Sequence, residues 1–140
     1  MRMRDIGTVD VFHQYTDDVR AFIATKFDFN CNSIYYSYKS NSIECSVYFY
    51  HFLETLTLRM CCGYQASAES IAIRAIKFKM KFASEFDLNV RIGHDIQDLI
   101  QAMNKFNDAD ALQYARAKIY DADLCRRTMA FYYSHRGRKL

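Results

Sequence analysis

Ser33-Ile34-Tyr35-Tyr36-Ser37-Tyr38, then Lys39-Ser40-Asn41-Ser42, then Ile43-Glu44-Cys45-Ser46-Val47-Tyr48-Phe49-Tyr50 is the run on which the fold turns. Its first part is dominated by β-branched and aromatic side chains, which suit a pleated surface. The four residues from Lys39 to Ser42 are turn formers. Beyond them Ile43, Cys45, Val47 and Phe49 alternate with Glu44, Ser46, Tyr48 and Tyr50, a period of two that predicts the second strand of a hairpin. Glu54-Thr55 supplies another turn, after which Leu56, Leu58, Met60 and Cys62 alternate with Thr57, Arg59 and Cys61. The segment therefore predicts a three-stranded antiparallel meander. The alternative is an all-α bundle in which the tyrosine-rich segment is helical.

Upstream, Phe12, Tyr15, Val19, Phe22 and Ile23 recur at helical steps, from a start at Thr8 or at Thr16 with Asp17 and Asp18 against the dipole. Downstream, Ser67–Phe86 reads two ways. As a strand it alternates Ile76, Phe78, Met80 and Phe82 with lysines, but Ile71 and Ile73 have the wrong parity without a bulge. As one helix it places Ala68, Ile71, Ala75, Phe78, Phe82 and Phe86 on a stripe with no defect, and this reading is preferred. Leu88–Ile92 is a short strand or link. Ile96, Leu99, Ile100, Met103 and Phe106 form a helical stripe with Asp95 as its cap, broken at Asn107-Asp108. Leu112, Ala115, Ile119, Ala122, Cys125, Met129 and Tyr132 predict a last helix of ~26 residues, about 39 Å long. The expected fold is α+β: an amino-terminal helix, the meander, and a helix-rich carboxyl-terminal half. Residues 1–133 form one domain and 134–140 a mobile basic tail.

The 140 residues are 51% hydrophobic and 25% charged, enough to bury a core. No two of the four glycines are close, so the phosphate-binding loops and the Gly-x-Ser-x-Gly elbow are excluded. No run approaches the ~18 apolar residues of a membrane span, and the basic start has no apolar segment behind it. Five cysteines, an odd number with Cys61 and Cys62 adjacent, fit reduced thiols in the cytoplasm or nucleus. Adjacent strand positions point to opposite faces, so these two do not form a zinc pair, and no metal or cofactor is expected. His94-Asp95 looks like a phosphohydrolase metal pair, but His51 and Asp121 or Asp123 complete it with poor spacing; a capped helix start accounts for it better. Arg127 and His135 are one residue too far apart for a helical ribonuclease pair. No catalytic residue is assigned, and the chain is expected not to be an enzyme.

The net charge of +3 is unevenly spread. Arg126, Arg127, Arg136, Arg138 and Lys139 supply the whole surplus, since the rest of the chain carries −2. Arg74, Lys77, Lys79 and Lys81 form a second basic cluster, and Glu85–Asp123 between the two is net −4. Arg74, Lys77, Lys81, Arg126, Arg127, Arg136 and Arg138 are the candidate contacts to nucleic-acid phosphates. Tyr36, Tyr38, Tyr48 and Tyr50 are the candidate protein interface, because tyrosines exposed on a sheet face suit a partner.

A helix–three strands–helix order over residues 8–86, with Gly63, Ser67 four residues later and small Ala75, resembles the double-stranded-RNA-binding domain. The resemblance implies RNA binding, yet Ala68 and Glu69 stand where that family has phosphate-binding lysines. Two functions are therefore expected. The first is a small non-enzymatic interaction protein that self-associates and binds a protein partner. The alternative is an RNA- or DNA-binding module. The absence of Pro and Trp, with few Gly, fits an A+T-rich genome such as that of many viruses.

Overall fold

Ser70, Ile71, Ala72, Ile73, Ala75 and Ile76 are buried around the whole circumference of one helix, which makes that helix the centre of the protein. This is α3 (Ala68–Phe86), and the helical reading of Ser67–Phe86 is correct, Ser67 included: its hydroxyl caps the helix by accepting from Ser70 N–H at 3.2 Å. In this computed structural model residues 15–61, 67–102 and 108–136 are described.

Around α3 stand α1 (Val19–Lys26), a 3-10 turn at Asn30–Asn32, the hairpin strands β1 (Ile34–Ser37) and β2 (Ser42–Cys45), and α2 (Val47–Thr55). Then follow β3 (Thr57–Leu58) before α3, and β4 (Arg91–Ile92), α4 (His94–Ala102), α5 (Asp108–Lys118) and α6 (Ala122–His135) after it. The architecture is α+β with a helix-rich carboxyl-terminal half. Helices α4, α5 and α6 all pack on α3. Small Ala72 and Ala75 in α3, with Ala111 and Ala115 in α5, are fully buried. Small side chains at such a contact let two helix axes approach closely.

The meander is corrected. The hairpin forms, with Tyr35 opposite Glu44 and Tyr36 opposite Ile43, but its second strand stops at Cys45. Val47–Thr55 is helical because Phe49, Phe52 and Leu56 fall at helical spacing and turn inward. Phe52 is buried with its ring 5.5 Å from that of Phe82, and this anchor overrides the strand propensity of the flanking residues. The third strand does not join the hairpin. It shrinks to β3, which pairs in parallel with β4, Thr57 with Arg91 and Leu58 with Ile92. Helix α3 is the crossover that a parallel pair requires. The likeness to a double-stranded-RNA-binding domain, which needed three strands in one sheet, lapses with the meander.

Three smaller differences follow. Asp18 caps α1 by accepting from Ala21 N–H, so the later of the two starts is the closer one; Thr8 lies outside the described residues. Asp95 lies inside α4 instead of capping it, and accepts the Met60 N–H at 3.1 Å. The last helix is two, because the chain breaks at Ile119–Asp121 and Asp121 caps α6 through the Leu124 N–H at 2.8 Å. Ser134 and His135, assigned to the tail, belong to α6.

The amino-terminal elements are held by a buried polar knot. Asp28 accepts from the Phe29 N–H at 3.0 Å and the Asn32 amide at 2.6 Å, and is ion-paired with Arg74 of α3. Asn30 bonds the Thr57 carbonyl and the Arg59 N–H, acting as one rung of a strand ladder.

Candidate functional site

The hairpin is short, and a two-stranded ribbon is marginal in water unless something covers a face. One face carries Ile34, Cys45, Tyr36 and Ile43, the other Tyr35, Glu44, Ser37 and Ser42. The root of the apolar face is half-buried, pinned where Ser33 donates to the Ile23 carbonyl and Ser46 N–H bonds the Ser33 carbonyl. Its far end is open. Tyr38 is 91% exposed and meets Tyr36 edge to face at 5.1 Å; Ile43 across the ladder is 70% exposed.

Exposure continues into α2, where Val47, 74% exposed, is followed by Tyr50 and Leu53 at three-residue steps. Six of the twelve large exposed hydrophobic side chains among the described residues fall between Tyr36 and Leu53. Of the four tyrosines assigned to an interface, Tyr36, Tyr38 and Tyr50 are exposed and Tyr48 is half-buried. Tyr48 and Tyr50 project from a helix instead of a strand. The phenol of Tyr50 is raised above its ordinary range, chiefly by hydrogen bonding with Cys45, and that of Tyr35 chiefly by its bond to Glu44. Missing from the sequence reading were Ile43, Val47 and Leu53. Of these, Ile43 and Val47 were assigned to a strand by alternation, a signal that does not say which face is covered.

The basic residues are divided and largely partnered. Arg74, Lys77 and Lys81 share one stripe of α3. Arg74 is committed to buried Asp28, the Lys77 ammonium sits 5.0 Å from the Phe78 ring centre, and Lys81 is 4.0 Å from Glu85. The Lys77 ammonium is pulled below its ordinary range by burial and by neighbouring Arg74 and Lys81. On α6, Arg126 and Arg127 both bond Asp123, at 2.6 and 3.0 Å, and the Asp123 carboxyl is held low by them, Arg126 foremost. Arg136 pairs with Asp108 and lies 5.1 Å above the Tyr133 ring. Arg138 lies outside the described residues.

A second concavity lies on the other side of α3. A cleft of about 820 Å³ is lined by Thr57, Lys79, Arg91, His94, Gln97, Ile100, Gln101, Phe131 and His135 among others. Lys79 points away from the Arg74 stripe, donates to the Val90 carbonyl at 2.6 Å, and is lowered by burial. No group of three or more His, Cys, Asp or Glu side chains among the described residues is placed to hold a metal, and no described helix is long and apolar enough to cross a membrane. No family model, curated protein or solved structure matches the chain.

Proposed function

We propose that this chain is a small interaction protein that acts by binding, and that it self-associates through the outer end of the hairpin and the exposed side of α2. The observation that supports this is the run of exposed aromatic and aliphatic side chains from Tyr36 to Leu53 on a two-stranded ribbon that no further strand extends among the described residues. A second copy answers both needs at once. Ribbon edges pair with ribbon edges, and a two-fold axis brings the same apolar patch to each side. In contrast, the six described cations assigned to phosphate binding each already have a carboxylate or an aromatic ring beside them, which lowers what a polyanion would gain.

Light scattering across a concentration series is the test. The wild type is expected to pass from monomer to dimer, and the triple change Tyr36→Ala, Tyr38→Ala, Ile43→Ser to stay monomeric with an unchanged far-ultraviolet spectrum. Tyr120→Ala, equally exposed but remote in sequence, is expected to dimerise like the wild type. A wild type monomeric at every concentration rejects self-association. Co-purification of nucleic acid, released steeply by salt, would favour the polyanion reading instead.

A further inference from the structure

The cleft between α4, α6 and the β3–β4 pair is unlike the hairpin face in chemistry and independent of it. Four basic side chains, Lys79, Arg91, His94 and His135, converge on it from three helices and a strand, and among the described residues no carboxylate lines it. The nearest carboxylate in sequence is turned elsewhere: Asp95 accepts from the Met60 and Ile96 N–H groups. The fixed charges of Lys79 and Arg91 repel one another across it, and Arg91 has no ion-pair partner among the described residues.

The cations are also restrained. Lys79 spends one of its three donors on the Val90 carbonyl, leaving two for the cleft. Gln97 donates to the Ile92 carbonyl at 2.6 Å, which fixes one wall. His135 is stacked on Phe131, ring centres 3.9 Å apart and planes 13° from parallel, and its Nδ1 lies 2.9 Å from the Phe131 carbonyl. Nε2 makes no hydrogen bond among the described residues, and the stack builds a flat platform beside Lys79 and Arg91. Ile92 and Ile100 supply an apolar floor. A cleft of about 820 Å³ falls within the range of small-molecule sites.

We propose that this cleft binds a small organic phosphate of mononucleotide size. In it Arg91 and Lys79 hold the phosphoryl oxygens, and the ligand's planar group lies against the Phe131–His135 stack. An arginine fork matches a phosphoryl group better than a point charge does, and a stacked aromatic pair favours a planar ring over a flexible chain.

Calorimetric titration with AMP, with inorganic phosphate and with citrate tests this on the full chain at low salt. AMP is expected to bind saturably with unit stoichiometry, phosphate more weakly, and citrate no better than phosphate. Arg91→Ala, at an exposed position, is expected to weaken both AMP and phosphate by about tenfold or more. His135→Ala should weaken AMP while leaving phosphate unchanged. Lys81→Ala, on the opposite side of α3, should change neither. Absence of saturable binding by AMP and phosphate overturns the proposal. So does citrate outcompeting AMP, or an equal loss in Lys81→Ala, since either means general attraction to anions. AMP no tighter than phosphate overturns the ring platform.

Discussion

Cys31 is buried beside Asp28, and its thiol is pushed up from 9.0 to about 12, first by burial and then by that carboxylate. In the unfolded chain the proton is lost near 9, whereas the fold retains it to about 12. Between those values the unfolded state binds fewer protons, so this group's contribution to stability is intact below the window and is lost as pH rises through it. Wild type is therefore expected to lose stability across that range faster than Cys31→Ala, by on the order of 1 kcal/mol per pH unit. Urea unfolding of both proteins at a series of alkaline pH values measures the difference. Lys77 and Lys79, which are shifted the opposite way, act equally in both and cancel. Parallel slopes would show that Cys31 is hydrated in the fold. From the sequence Cys31 is only one of five reduced thiols. Its partner Asp28 sits in sequence between two phenylalanines, and nothing local marks it as the counter-charge of Arg74, 46 residues away.

Elements were legible where their pattern was local. Ser67–Phe86 had one interpretation without a defect, and Ser67 as its cap needs only a side chain three residues before its partner N–H. The hairpin was legible up to Cys45 for the same reason. What failed was the continuation, since over so few residues Val47 and Phe49 fit a period of two while Val47 with Tyr50, and Phe49 with Phe52, fit a helix. The choice is made by Phe52 reaching Phe82, 30 residues on. The carboxyl-terminal stripe failed in the opposite way. Its spacing permits one straight helix, but α5 and α6 each pack on α3 and on one another, which one rod cannot do. The break depends on Asp121. Asp121→Ala, removing the acceptor for the Leu124 N–H, is expected to lower stability by about 1 kcal/mol, and Asp121→Asn by much less. Chemical denaturation reads both. If the two variants lost equally, the charge against the helix dipole, and not the cap bond, would be what Asp121 contributes.

At the scale of the whole molecule, stability and exposure are segregated as the charge is. Ile71, Ile73 and Ile76 of α3 lie at the centre of one hydrophobic cluster that takes in β3, β4 and every helix from α2 to α6, whereas no residue of the hairpin strands belongs to it. Local opening energies follow such burial. In amide hydrogen exchange the first half of α3 is therefore expected to exchange only by global unfolding. The β1–β2 amides should exchange by local fraying, with protection lower by several orders of magnitude. Self-association predicts a second signature. Raising protein concentration should slow exchange in β1, β2 and the start of α2, while leaving Ile71–Ile76 unchanged, because mass action stabilises only the elements that the second copy covers. Uniform protection at all concentrations would mean that the hairpin is held by the body of the protein itself. The exposed tyrosines would then be ordinary surface, and the basic cleft, which does not depend on the hairpin, would be the stronger indication of what the protein binds.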